Sequence, residues 1–470
     1  MRRFLIEHGL GQTRLALIEG ERLVEFRLAE GEDRHRPGSL HLGRVISVDP
    51  GLAAAFVEIG ADRPGLLPLR DARRTPPSTG DAILVQVTRA SLEDKGVRLS
   101  ARPVLAGRGI ALRPGRSGIA FAANLSDPPE RERIRELLRS EFAVGLGLNV
   151  DRRALDLPAG RLRAEARRLI GVWRAIADRQ ASVSPPALLW DGPDAVGRAL
   201  LDWAVPGMEI VCNDSALAAS VAARLVEDLA DAKATPRLDR SPMLLEKEGV
   251  EEQLEAALRP EAPIPGGGLL LIEPGRTLTA VDVNSAGADR RPREVNLAAA
   301  EEIAHQLRLR AIGGLVVIDF IDLRTPSARG AVLERLAQSL SRDPVGCELA
   351  GATRLGLVEL TRRRAGPNLA ELLTEPCGLG GSGRVRRVEA IGGELLRRIA
   401  TEALARPGGR FALVCAPEIA QAFMGPLAEG RAELERRLGR RIEIAADPSL
   451  PREGSHISAR SAGGQEQDGA

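Results

Sequence analysis

At 470 residues the chain exceeds what one ordinary hydrophobic core sustains, so two to four domains are expected. Hydrophobic residues at 44% and charged residues at 28% are the balance of a soluble globular protein, and no apolar run is long enough to span a membrane. A net charge of +2 argues against a globally cationic binder, and aromatic residues at 2%, with no tyrosine, argue against extensive base stacking.

The basic start MRRFLIEHGLGQTRLAL is interrupted by Glu7 and Arg14, so it does not read as a signal peptide and a cytoplasmic location is expected. Residues 3–28 alternate apolar and polar positions around glycine turns, which predicts two or three antiparallel strands. From Leu40 to Asp71, short β runs are broken by Pro50-Gly51, Gly60 and Pro64-Gly65, and DAILVQVTRA follows. Five short strands at this spacing suit a small oligonucleotide-binding barrel, and other small β barrels fit the same pattern.

Residues 102–190 begin strand-rich and continue into two charged helical stretches, Pro129–Ser140 and Gly160–Arg179. The segment SVSPPALLWDGPD marks a boundary. Strand and helix elements follow over 193–233, then a helix at Glu248–Leu258 and the proline-rich break EAPIPGGG. A module with acid-bearing strands runs from Gly268 to about Leu373. The glycine-rich GLGGSGR reads as a flexible hinge before a helix–strand–helix–strand unit over 386–446. Its GxGxxG spacing lacks the strand-to-helix context of a dinucleotide site. Beyond Pro451 the chain is polar and Gly/Ser-rich, and disorder is expected. The four cysteines are scattered and form no CxxC pair, so no disulfide framework is expected.

The chemistry concentrates in two runs, TLTAVDVNS (Thr277–Ser285) and LVVIDFIDL (Leu315–Leu323). Each drives an apolar strand into a carboxylate, Asp282 in the first and Asp319 in the second, with Asp322 expected on the opposite face. Asp282 and Asn284 are two apart and share one strand face. Between the runs, Arg293–Arg310 has helical apolar spacing (Val295, Ala299, Ile303, Leu307) and stops at Gly313-Gly314. A strand–helix–strand unit of this kind lays the strands side by side and parallel, so Asp282, Asn284 and Asp319 converge at one strand end. Two carboxylates and an amide, with no histidine or cysteine nearby, form a hard oxygen site suited to Mg²⁺ or Mn²⁺ and to phosphodiester hydrolysis. The residues alone leave a second reading open, in which the aspartates cap helices or pair with arginines such as Arg308 or Arg310.

DVNS, NLAAAEEIAHQLRLRAIGGLVVIDFIDLR and TRLGLVELTRRR (Thr353–Arg364) closely resemble the catalytic core of the ribonuclease E/ribonuclease G family. Similarity extends to the N-terminal strands, to LHLGRVISVDPGLAAAFVEIGADRPGLLPLRD and to EGVEEQLEAAL, covering roughly residues 1–440 in the family's order. The resemblance implies a Mg²⁺-dependent endoribonuclease that cuts single-stranded RNA, leaves a 5′-phosphate on the downstream product, and serves RNA processing or decay. Asp282 and Asp319 match the family's Mg²⁺-binding aspartates, and Asn284 its motif asparagine at the scissile phosphate.

The implied fold is a multidomain α/β chain. An RNase H-like subdomain (1–36 and 193–258) is interrupted by an S1-like RNA-binding barrel (37–101) and a degenerate 5′-sensor-like region (102–192). A DNase I-like catalytic subdomain (259–373), a degenerate zinc-link hinge (374–385), a small C-terminal domain (386–450) and a disordered tail (451–470) follow.

The chain departs from the family pattern at four places. EPCGLGGSGR keeps only Cys377 of the paired cysteines that would complete a shared zinc site, so no zinc link or zinc-linked tetramer is expected, while a homodimer stays compatible. GLGLNVDRRALDL lacks the Arg-Thr pair of the 5′-phosphate pocket; Arg152 or Arg153 could substitute, although Asp151 beside them favours a solvated turn. Of two aromatic positions on the barrel surface, Phe56 is kept, to stack on a base or to fill the core, while its companion is Leu66; Lys95, in the DKG turn, reads as a phosphate contact or as an ordinary surface lysine. The loop after Asn284 is short but carries Arg290, Arg291 and Arg293, suited to gripping RNA phosphates or to solvation. These losses leave an alternative: an RNA-binding protein of the same family with weak or no cleavage. A phosphodiesterase or phosphotransferase acting on something other than RNA is a more distant third.

Overall fold

The computed structural model describes residues 1–30, 35–72, 76–89, 96–122, 125, 127–141, 145–228, 234–275, 277–287, 291–377 and 383–460. It divides into two compact units, one formed by residues 1–31 with 205–470 and the other by residues 32–204. Among the described residues no helix is long and apolar enough to cross a membrane.

In the 32–204 unit, the strands Leu40–Asp49, Ala54–Glu58, Gly65–Pro68, Arg98–Ser100 and Ala82–Arg89 pair in that order, and the last pairs back onto the first. The result is the closed five-stranded barrel that the alternation predicts. Inward residues Val45, Val57, Leu67, Val85 and Leu99 fill its interior. Gly65 leaves room there for Leu99, whose Cδ1 would lie 2.5 Å from a Cβ and would have to move for any larger residue. A four-stranded sheet and the helices Pro128–Leu138 and Ala159–Ser182 share a second core containing Ile134, Leu148, Leu162 and Leu169.

The Ala195–Trp203 helix also belongs to this unit, which ends at Ala204. Two ties hold it there. Arg153 Nη1 donates to Asp202 Oδ1 at 2.6 Å, and Arg108 Nη2 donates to the Ala204 carbonyl at 2.7 Å.

The other unit opens with the predicted meander, Arg2–Gly9, Gln12–Glu19 and Arg22–Glu30. Glu209–Cys212 returns parallel to the first strand and Arg237–Leu238 adds outside it, completing a five-stranded sheet. A second, six-stranded sheet contains, in order, Glu261–Pro263, Leu269–Pro274, Leu278–Asn284, Gly314–Asp319, Val358–Arg362 and Cys347–Ala352. The helices Pro292–Leu309 and Pro326–Leu340 cover one face of it with Val295, Ala299, Ile303, Leu307, Val332, Leu336 and Leu340. Each of the valine, leucine and isoleucine side chains contributes about 1.5–3 kcal/mol by leaving water.

The glycine-rich hinge GLGGSGR lies largely outside the described residues; the chain on either side of it pairs, Thr374–Pro376 against Arg384–Arg386. One expectation near the C-terminus needs correction. The segment read as a disordered tail contains a strand, Ser455–Arg460, antiparallel to Arg410–Cys415. Edge pairing satisfies backbone groups whatever the side-chain polarity, so a polar, Gly/Ser-flanked strand escapes a hydrophobicity-based reading. Residues 461–470 lie outside the described residues.

Candidate metal centre

Alternating burial along Leu278–Asn284 turns Thr279, Val281 and Val283 into the core and leaves Asp282 and Asn284 on the other face. In Gly314–Asp319, Val316 and Ile318 point inward and Asp319 is exposed. The two strands are parallel and Asp282 pairs in register with Asp319, as the strand–helix–strand reading requires. Neighbouring strands lie about 4.8 Å apart, so two like charges sit close together at the last rung of the ladder. Asn284 Nδ2 donates to Asp282 Oδ2 at 3.2 Å.

Among the described residues the alternative roles for these aspartates find no support. The helix after Asp282 has Arg291 at its N-cap position with no side-chain cap bond, and the helix after Asp319 is capped by Thr325, whose hydroxyl accepts from the Ala328 N–H. Arg308 instead binds Glu25 at 2.6 Å, and Arg310 binds Gln306 and the Arg259 carbonyl. Among the described residues neither Asp282 nor Asp319 has an arginine or lysine partner within 4.0 Å. Nor, among the described residues, does any set of three or more His, Cys, Asp or Glu side chains form a metal cluster. The donor set is therefore two carboxylates with an adjacent amide. That suits a hard cation completing its shell with water and phosphate better than it suits Zn²⁺.

Arg291 and Arg293 stand at the N-terminus of the Pro292–Leu309 helix, both exposed. Positive charge is unfavourable there, beside the positive end of the helix dipole, and an incoming anion would relieve it. Arg290 and Lys95 lie outside the described residues. Asp322 lies beyond the strand, which ends at Asp319 and not at Leu323 as expected.

On the barrel, Phe56 is half-buried and pairs directly across from Leu66, so the two positions singled out in the sequence are neighbours. Arg153, a candidate for the 5′-phosphate, is engaged instead: its guanidinium binds Asp151 and Asp202, each at 2.6 Å. Arg152 is exposed.

Sequence reasoning missed Asn296. It is fully buried on the core side of the Pro292–Leu309 helix and bonds both backbone groups of Ile321. The available signal was an amide inside the apolar stripe Val295–Ala299–Ile303.

Comparison with known proteins gives a consistent picture. The family model described as the Ribonuclease E/G family matches residues 104–365. Ribonuclease G of Escherichia coli (strain K12) is 28% identical over 93% of this chain and 95% of the relative. Ribonuclease E of a Nostoc species is 33% identical over 83% of this chain and 60% of the relative. Ribonuclease E of Escherichia coli (strain K12) is 30% identical over 84% of this chain and 40% of the relative.

Proposed function

Because the chain belongs to the ribonuclease E/G family, we propose that its endoribonuclease activity resides at Asp282, Asn284 and Asp319, with Mg²⁺ held by the two aspartates and single-stranded RNA as substrate. A role in RNA processing follows from the same membership. The observation that carries the site assignment is the in-register pair Asp282–Asp319, two carboxylates on neighbouring strands with no cationic partner among the described residues. Mn²⁺ suits the same oxygen donors. When bound, the cation would supply charge neutralisation at the phosphodiester and a water of lowered pKa.

The side chains divide the remaining work. Asn284 holds Asp282 Oδ2 by its amide, fixing the carboxylate's rotation and leaving Oδ1 open. Arg291 and Arg293, with Arg290 in the same loop, attract the RNA backbone toward the strand ends. In the hydrolysis the P–O3′ bond breaks and a water oxygen joins phosphorus. The 5′-phosphate stays on the downstream product, and the leaving 3′ oxygen takes a proton.

The same reading assigns the closed barrel as an S1-like RNA platform, with Phe56 stacking on a base and Lys95 meeting a phosphate. The five-stranded sheet is the RNase H-like subdomain. Its order supports this, with three antiparallel strands followed on the other side of the first by two parallel ones. The six-stranded sheet with its two helices is the DNase I-like subdomain. Residues 102–192 correspond to a degenerate 5′ sensor, a reading supported by the Arg153 ion pairs. With Cys377 alone in its segment, the paired-cysteine zinc link and the tetramer built on it have no support, and a homodimer without zinc is compatible with the chain.

The test is cleavage of a 5′-labelled single-stranded RNA with Mg²⁺, with EDTA, and by Asp282→Asn and Asp319→Asn. Loss of a metal ligand should cost at least about 100-fold, the upper range seen for outer-shell partners. Full activity in either variant would refute the site. Tight RNA binding without a metal-dependent product would favour the RNA-binding alternative.

A further inference from the structure

The Gly314–Asp319 strand loses its neighbours where its chemistry begins. Its last pairs are Asp282↔Asp319 on one side and Ile318↔Val358 on the other. Beyond them Phe320, Ile321 and Leu323 pack against the core as irregular chain. Backbone N–H and C=O groups in such a segment need partners, because leaving them unmade near the core is costly.

Asn296 provides both at once. Its Oδ1 accepts from the Ile321 N–H at 3.1 Å, and its Nδ2 donates to the Ile321 carbonyl at 2.7 Å. The side chain is 0% exposed. Only Asn and Gln carry a carbonyl and an NH₂ on one planar group, so the residue replaces the missing strand neighbour with one side chain. A second tie follows two residues on, where Arg329 Nη1 donates to the Leu323 carbonyl at 3.1 Å.

We propose that Asn296 is a positioning residue for the metal centre. It extends the strand's hydrogen-bonded order two residues past Asp319, holding the Asp319 carboxylate in register with Asp282. It also ties that strand exit to the second turn of the helix whose N-terminus carries Arg291 and Arg293. The ion's ligands and the residues that grip the phosphates are thereby fixed to one another. This inference rests on the assignment of Asp282 and Asp319 as metal ligands.

The experiment uses the full chain without RNA and measures Mn²⁺ binding by electron paramagnetic resonance for wild type, Asn296→Ala, Asn296→Asp and Asp319→Asn. Asn296→Asp is nearly isosteric, keeps the acceptor for the Ile321 N–H and loses the donor to its carbonyl. The expected result is a 10–100-fold weaker Mn²⁺ Kd in both Asn296 variants, the range typical of residues that orient metal ligands. RNA cleavage by both should recover at saturating Mn²⁺, which a merely unfolded protein would not show. Mn²⁺ affinity within twofold of wild type in the Asn296 variants, with Asp319→Asn defective, overturns this inference and leaves the metal site standing. Wild-type Mn²⁺ binding that Asp319→Asn does not disturb overturns both.

Discussion

Arg362 and Asp343 form an ion pair in which both side chains are almost wholly buried. Arg362 Nε meets Asp343 Oδ2 at 2.7 Å and Nη2 meets Oδ1 at 3.3 Å, while Nη1 donates to the Ile312 carbonyl at 2.9 Å. Asp343 in turn accepts from the Val345 N–H at 2.8 Å. The first arginine of the Arg362–Arg364 run is thus a structural strut joining the end of the Val358–Arg362 strand to the turns before Gly314–Asp319 and Cys347–Ala352.

Breaking that pair from one side leaves an uncompensated buried charge. Arg362→Leu and Asp343→Leu should each lower unfolding stability by about 3–5 kcal/mol. Urea titration followed by circular dichroism measures it, and a loss under about 1 kcal/mol in either variant would contradict the buried-strut role. Arg362→Lys retains the charge but not the fork, and should fall between wild type and Arg362→Leu.

Arg291 and Arg293 should act through salt-dependent affinity. Replacing either by alanine should reduce the slope of log K against log salt by about 0.7 for single-stranded RNA, the value expected per lost phosphate contact. Fluorescence anisotropy with Ca²⁺ in place of Mg²⁺ reads this without turnover. An unchanged slope in the double variant would mark the two arginines as solvated bystanders.

Phe56 should stack on one base. Phe56→Ala should weaken single-stranded RNA binding by about 1–3 kcal/mol, the range found for one stacked base. Leu66 sits directly opposite it across the strand pair, so Leu66→Phe should add a second ring to the same surface and tighten binding. RNA affinity that falls in Leu66→Phe would argue that this face packs against something other than RNA.

His305 makes folding acid-sensitive. Burial, with the positive charges of Arg22 and Arg308 beside it, pushes its pKa down to about 3, against an unfolded value near 6.5. Between those values the unfolded state binds the extra proton, so stability falls as pH drops below about 6.5 and continues to fall toward pH 3. At pH 5 the loss reaches up to about 2 kcal/mol. His305→Gln should flatten that part of the stability–pH curve relative to wild type, and parallel curves for the two proteins would discard the assignment.

The in-register placement of Asp282 and Asp319 was legible because period-two burial and period-3.6 burial meet there without conflict. Val281 and Val283 face the core, so Asp282 and Asn284 face away, and the intervening helix stripe fixes the strands as parallel neighbours. Other features depend on partners distant in sequence. Asn296 reads as one polar residue in an apolar stripe until Ile321 is seen beside it. Arg153 reads as part of a solvated turn beside Asp151, and its second partner, Asp202, lies 49 positions on. The Ser455–Arg460 strand has no hydrophobic signature of its own; the exposed edge of Arg410–Cys415 calls it into place.

The return of Glu209–Cys212 to the side of Arg2–Gly9 imposes an order on synthesis. At translation rates of about 5–20 residues per second, the opening meander spends roughly 10–40 s outside the ribosome with one edge unpaired. During that interval all of residues 32–204 emerge, a unit whose barrel and helical cores draw only on its own residues. The middle of the chain can therefore be finished while its beginning still waits. The opening meander, made before residues 32–204, belongs to a sheet that closes after them.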